Sequence, residues 1–573
     1  MTRRILLAIA CALSAALTLP ARAVASDVLY IHGHIYTAVP AAPWAEAIAA
    51  SGARIDAVGS DSQILKRRSA HTQLVDLHGR TVIPGIFDSH LHLLFGSMAL
   101  HGFNLSTAAQ SITPDKGDLL IARIREYAAQ HPSDKILFGR ADFSSSQPYA
   151  PHHELLDKAV SDRPVVIHGT YEHSMWLNAK ALELAGITDQ PVADPQEERY
   201  VYRDASGHPS GVLIESAMEL VERLVQRTLT DDEQVGMLRE AFRELNRFGI
   251  TSAVDAAGDL AQLRRFGAMR DRGELTIRIR GAFGAVAVPH KLTPEFLSDL
   301  DQARRQFHDE WLAANLVKFF ADGSTGRIPP LVYQPADFRA IVAELDRQGY
   351  QLMTHAERDD SVHMVLDAYA EAARLNGARD RRMRIEHADV TAAADIPRFA
   401  IQSVIASMQP IYCCSASGEN YDPLETNPSD RWNSMETSGA MLALGSDWPC
   451  AWPDNPFLSI QQAVTREIWV SDDTAGVVDQ PLDGAAQAGA QPTGTFYTPA
   501  ERITVRQTVD AFTRDAAYAA FRDTDVGTLE KGKLADLAVL SQDIFAVPEN
   551  EIGATRVLLT IVGGRRVYGS LPP

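Results

Sequence analysis

Over several hundred residues this chain alternates short apolar runs, each suited to one strand, with stretches of helical periodicity. Few folds accommodate that pattern. The strand-like runs are Val165-Val166-Ile167, Thr251-Ser252-Ala253-Val254, Ile277-Arg278-Ile279-Arg280, Leu316-Val317-Lys318-Phe319-Phe320, Gln351-Leu352-Met353-Thr354, Arg384-Ile385-Glu386 and Met441-Leu442-Ala443-Leu444. Strands separated by helices are parallel neighbours, and eight such units close into a barrel whose chemistry gathers at the C-terminal ends of its strands. The expected class is therefore α/β, a parallel barrel of the TIM (β/α)8 type.

The ends of the chain read differently. Short alternating runs broken by Gly occupy the stretch from Asp27 to Val82, and the same style returns in Ala535-Asp536-Leu537-Ala538-Val539-Leu540, Val557 to Val562 and Arg565 to Tyr568. These are strand signals at close spacing, and both termini are expected to build one small β-sandwich. The span from about Leu100 to Thr230 exceeds one βα unit, which predicts an inserted subdomain. The Gly/Pro/Ala-rich stretch from Ser471 to Pro499 reads as a long loop. The expected division is a signal peptide over 1–25, the first part of the sandwich over 26–82, the barrel over 83–515 with its insertion at about 100–230, and the rest of the sandwich over 516–573.

A leader is visible in Arg3-Arg4, the apolar run from Ile5 to Leu19, and Pro20-Ala21-Arg22-Ala23, a small-x-small cleavage pattern. The run is shorter than the ~20 residues a spanning helix needs. The expectation is a periplasmic or secreted protein with no stable membrane insertion after cleavage. Beyond the leader remain Cys413, Cys414 and Cys450, an odd count read as buried packing rather than a disulfide framework. A net charge of −19 with only short basic runs argues against a nucleic-acid partner, which needs a basic face.

The chemistry is carried by an ordered series. Val82-Ile83-Pro84-Gly85-Ile86-Phe87-Asp88-Ser89-His90-Leu91-His92 ends in His-x-His, and alternate strand residues share a face, so two imidazoles can meet one metal. With 18 histidines in 573 residues, roughly one such pair arises by chance, and His32-Gly33-His34 is a decoy without downstream partners. Lys318 stands inside an apolar strand, where an amine is costly unless neutralised or paired. Two readings stay open: an ion pair with Asp322 or Glu357, or a neutral amine that takes up CO2 and bridges two cations as a carbamate. His355 and His387 each follow an apolar strand. Asp447 does the same in Gly445-Ser446-Asp447-Trp448-Pro449, where a helix cap is the alternative.

In this order, His90-x-His92, Lys318, His355, His387 and Gly445-Ser446-Asp447 resemble the amidohydrolase superfamily, and more closely the subgroup of YtcJ-like proteins and N-substituted formamide deformylases. Further matches are Pro164 to Ile167 followed by His173 to Asn178, Gly249-Ile250-Thr251-Ser252, and Gly527 to Asp536. The resemblance covers about Asp27 to Tyr568. It implies a distorted TIM barrel with a sandwich from both termini, His90, His92 and Asp447 on a first metal, His355 and His387 on a second, and carboxylated Lys318 between them. The implied cofactor is a divalent pair, zinc first and Mn, Fe or Co as alternatives. One departure is local: Ala356-Glu357-Arg358-Asp359 stands where relatives carry Ala-Ile-Gly-Asp or similar.

The activity so implied is hydrolysis of a non-peptide C–N bond, in a formamide, an N-acyl group or a cyclic amide. A metal-bound hydroxide attacks and Asp447 shuttles the proton. Ester or lactone hydrolysis on the same site, and a lyase or isomerase, are the alternatives; a binding protein that kept the fold and lost the activity is the third. His173 is the candidate for substrate contact and oxyanion stabilisation, with packing against Trp176 as the alternative. Arg327, Tyr333, Trp448 and Trp452 are candidates for lining the pocket, the two tryptophans otherwise packing their loop. The implied partner is a small-molecule substrate; a homodimer is left open.

Overall fold

The computed structural model describes residues 25–104, 114–141, 143, 151–169, 174–192, 198–284, 292–322, 331–414, 429–450, 455–470 and 491–571. The leader, His173, Arg327, Trp452 and most of the expected loop after Ser471 lie outside these residues.

Eight strands form the central sheet: β1 (Ile86–Leu91), β2 (Ile250–Gly258), β3 (Arg278–Gly284), β4 (Leu312–Phe320), β5 (Gln351–Ala356), β6 (Arg384–His387), β7 (Ile405–Met408) and β8 (Met441–Leu444). They lie in sequence order from β1 to β8, and every neighbouring pair is parallel. The first and last strands meet just beyond β8. There the Asp447 N–H donates to the His90 carbonyl at 2.7 Å, and the His92 N–H donates to the Trp448 carbonyl at 2.7 Å.

Strand alternation explains which side chains face inward. Leu316, Met353, Phe87, Val254, Ala282, Ile405 and Ala443 pack together inside the barrel, closed at the base by Ala516, Ala517 and Ala519 of the helix Arg514–Ala519. The intervening residues Val317, Phe319, Leu352, Ile385 and Leu442 face outward onto helices such as Pro335–Arg347 and Asp359–Asn376. Each buried side chain of this size contributes about 1.5–3 kcal/mol. Lys318 and His355 are two residues beyond Leu316 and Met353, so the same alternation carries them inward one layer higher. Local signals agree with the elements. In Thr230-Asp231-Asp232-Glu233 the Thr230 hydroxyl accepts from the Glu233 N–H and the Glu233 carboxylate accepts from the Thr230 N–H, a reciprocal cap that starts the helix Asp231–Arg247.

Both termini contribute to one six-stranded sheet, in the order Arg565–Gly569, Val557–Val562, Leu537–Leu540, Thr81–Pro84, His34–Tyr36, Trp44–Ala45. Gly563 and Gly564 adopt φ of 55° and 71° at its last hairpin, a two-residue turn that bulkier residues resist. A four-stranded sheet from Val28–Ile31, Ala47–Ser51, Arg54–Gly59 and Gln73–Asp76 lies beside it in sequence. Between β1 and β2, a further six-stranded sheet occupies the inserted region. From its strand Leu137–Ala141, Arg140 donates to the carbonyls of Pro449 at 2.6 Å and Cys450 at 3.3 Å, gripping the turn after Asp447. Among the described residues, no helix is long and apolar enough to cross a membrane.

The cysteine reading needs correction in one respect. Cys413 and Cys414 are bonded to each other as a disulfide between adjacent residues, while both remain buried; Cys450 takes no part in that bond. The pair closes a local ring and staples no distant segments, so it is still not a framework.

Candidate metal centre

Six of the residues singled out in the sequence converge at the C-terminal mouth of the barrel. His90 at the end of β1 and His92 just after it present Nε2 atoms 3.4 and 3.2 Å from Asp447 Oδ1. Lys318 on β4 places Nζ 3.2 Å from His90 Nε2. The rings of His355, on β5, and His387, at the end of β6, are 4.4 Å apart between centroids, and those of His387 and His90 are 5.1 Å apart. Two groups meet metal-ligand spacing: His90, His92 and Asp447, and His355, Glu357 and His387, each with ligand atoms within 4.8 Å of one another. His387 and Asp447 hold φ of 70° and 56°, a backbone conformation that non-glycine residues adopt at a cost of about 1–3 kcal/mol and that surrounding structure must impose.

The seam fixes Asp447 by excluding any side chain at Gly445. A Cβ there would stand 2.6 Å from the His90 nitrogen and 2.8 Å from Asp88 Oδ1. Asp88 is buried, and its Oδ1 accepts the N–H groups of His90 and Ser446, both at 3.0 Å. Burial, partly offset by these bonds, pushes its carboxyl up to about 6.

Behind His90 lies a buried relay. Arg384 donates to both Glu386 oxygens at 2.8 Å, and to the Ser89 carbonyl and Ser407 hydroxyl, while Glu386 Oε2 is 2.6 Å from His90 Nδ1. Burial alone would raise the Glu386 carboxyl, but Arg384 and His90 outweigh it and hold it well below the usual range. An ionised carboxylate can only accept, so His90 Nδ1 carries the proton and Nε2 the lone pair. Burial also lowers His90 to about 4 and His387 to about 3, which keeps both imidazoles neutral. For Asp447, His90, His92 and His387 overcome the effect of burial and hold the carboxyl well below its ordinary value. A lone pair and an ionised carboxylate oxygen thus face each other in a buried space. A divalent cation fits that donor set.

Lys318 is buried and desolvation lowers its pKa, which favours the neutral amine that carbamate formation requires. Its Nζ lies over the Phe320 ring at 4.6 Å and beside His90. Asp322 is engaged elsewhere: its carboxylate accepts the N–H groups of Glu357 and Arg358 and the Ser361 hydroxyl.

Three residues the sequence did not single out complete the site. For Glu386 and Arg384 the available signal was opposite charges two residues apart, and so on one face, of β6. Tyr412, whose hydroxyl donates to Asp447 Oδ2 at 2.8 Å, had no local signal, because it comes from a short turn after β7. Tyr333 and Trp448 require correction as pocket-lining candidates. Tyr333 is 1% exposed and packs on Phe319 and Phe338, while Trp448 is fully buried and fills the space a Cβ on Gly96 would need. Their apolar area is spent in the core. The decoy pair stays apart from the centre: His34 stacks on Trp44, and His32 bonds Asp76.

A profile described as amidohydrolase family matches residues 73–568. Over 96% of this chain and 93% of its own length, Protein LONG AFTER FAR-RED 3 of Arabidopsis thaliana is 29% identical. N-substituted formamide deformylase of Arthrobacter pascens is 24% identical over 94% of this chain and 97% of its own. Among solved structures, an uncharacterized metal-dependent hydrolase of Pyrococcus horikoshii OT3 superposes with a TM-score of 0.67 at 22% identity, covering 91% of this chain and 99% of that one.

Proposed function

Because the chain belongs to the amidohydrolase family, we propose that it is a metal-dependent hydrolase cleaving a non-peptide C–N bond, in a formamide, an N-acyl group or a cyclic amide. The observation that carries this reading is the convergence of His90 Nε2 and His92 Nε2 on Asp447 Oδ1 at 3.4 and 3.2 Å, with Lys318 Nζ 3.2 Å from His90 Nε2 and the His387 ring packed between those of His90 and His355. The relative that deformylates N-substituted formamides directs the choice of bond.

His90, His92 and Asp447 would hold one divalent cation, and His355 and His387 a second, with Lys318 as a carbamate shared by both. Bound there, the cations, zinc or a similar ion, supply the acidity that activates water and the charge that polarises a carbonyl. Asp447 accepts the proton from the attacking water and delivers it to the departing nitrogen, so that the amine leaves neutral. Tyr412 holds Oδ2 of that carboxylate at 2.8 Å and fixes its plane. Glu386 holds the His90 ring from behind, which keeps Nε2 aimed at the site. His173 and Arg327 are the proposed substrate contacts. The leader-like segment from Arg3 to Ala23 supports the reading of an exported protein, periplasmic or secreted, which N-terminal sequencing of exported protein tests.

The deciding experiment incubates purified protein with a panel of N-formyl, N-acyl and cyclic amides in 18O-labelled water. An acid product carrying the label is expected. Product without label overturns hydrolysis, and label appearing only with esters or lactones overturns the assignment to C–N bonds.

A further inference from the structure

Resting on the two-metal reading above, we propose that Glu357 is a protein ligand of the second cation, a carboxylate that the His355, His387 and Lys318 set does not include. Its side chain is 18% exposed, and Oε1 lies 3.6 Å from His355 Nε2. Ligand atoms of His355, Glu357 and His387 all fall within 4.8 Å of one another, the same closeness found for His90, His92 and Asp447.

Placement of this residue is built in from both sides. Its N–H donates to Asp322 at 3.0 Å, on the chain leaving β4, and its carbonyl accepts from the Val390 N–H at 2.8 Å, on the chain leaving β6. The next residue, Arg358, also gives its N–H to Asp322 at 3.1 Å. Glu357 is therefore pinned by the loops that follow the Lys318 and His387 strands, and its carboxylate is held beside two imidazoles. A mostly buried carboxylate near His355 and His387 is a hard oxygen donor added to a nitrogen pair, a combination suited to zinc or manganese. Because Glu357 ligates without modification, the second cation retains an anionic ligand even when Lys318 is an unmodified amine.

The test measures metal rather than turnover. Full-length protein, Glu357→Gln and Glu357→Asp are loaded with Zn(II) or Mn(II), and the bound metal is counted after dialysis and titrated calorimetrically; circular dichroism verifies that each variant is folded. Two equivalents are expected for the unsubstituted protein. Glu357→Gln should retain one tightly and bind the second on the order of 10- to 100-fold more weakly, with Glu357→Asp between them. Two equivalents with an unchanged second affinity in Glu357→Gln overturn the role of Glu357 while leaving the two-metal centre intact. An unsubstituted protein that takes up no metal overturns the underlying reading and this ligand with it. Should Glu357→Gln fail to fold, the second affinity of Glu357→Asp decides alone: weakening supports the ligand and no change overturns it.

Discussion

The Asp447 backbone N–H donates to the His90 carbonyl at 2.7 Å, so the hydrogen bond that joins the two ends of the barrel sheet is made by two of the residues proposed to hold one cation. The seam of the barrel and the proposed centre therefore share residues in this fold. The His92 N–H bond to the Trp448 carbonyl repeats the arrangement one step further along.

Gly445→Ala should show this coupling. Its Cβ would stand 2.6 Å from the His90 nitrogen, a backbone atom that cannot swing aside. A loss of about 1–3 kcal/mol in unfolding free energy, as for other overpacked sites, is expected together with lower metal content. Denaturant titration and metal analysis check both; a variant with full stability would show that the seam yields without cost.

Asp447→Asn preserves shape and one oxygen donor but cannot take up a proton at neutral pH. It should retain most of its metal and lose about 10²- to 10⁴-fold in turnover on whichever amide the panel identifies. Rates close to those of the unsubstituted protein would remove Asp447 from proton transfer.

Glu386→Gln leaves the hydrogen bond to His90 in reach but removes the charge that orients the ring and balances Arg384. Metal affinity should fall on the order of 10- to 100-fold. The buried Arg384 would stand unpaired, which costs about 3–5 kcal/mol when a buried pair is broken on one side. Calorimetric metal titration and urea unfolding separate the two effects.

His387 predicts a pH dependence with a definite sign. Burial lowers it to about 3 from an ordinary 6.5, so between these values the unfolded chain binds a proton that the folded chain does not. Its share of stability is therefore complete above pH 6.5 and is lost as pH falls toward 3, with a slope of at most about 1.4 kcal/mol per pH unit. Chelator-treated His387→Gln should show a shallower decline in its urea midpoint from pH 7 to pH 5. An unchanged slope would contradict the burial of a neutral imidazole.

What the sequence disclosed follows physical lines. Lys318, His355 and His387 were legible because a charged or ligating side chain at the end of an apolar strand stands out against its neighbours, and the strand period alone predicts that Lys318 and His355 share the face of Leu316 and Met353. The class of fold was legible for the same reason. Tyr412 was not, since only the folding of β7 against β8 brings its hydroxyl to Asp447, and no spacing records that. Tyr333 and Trp448 misled because a large aromatic beside a ligand has the same appearance in sequence whether it faces the substrate or the core. The Cys413–Cys414 bond was overlooked because adjacent cysteines add nothing to a count of long-range staples.

Arg140 carries a consequence for how such enzymes can be rebuilt. Its guanidinium reaches from the inserted sheet to the carbonyls of Pro449 and Cys450, two and three residues past Asp447. The insert is thus not a detachable cassette. A chimera that imports a foreign insert to change specificity must bring its own cation to that turn, or the graft will shift the Asp447 carboxylate it was meant to leave untouched.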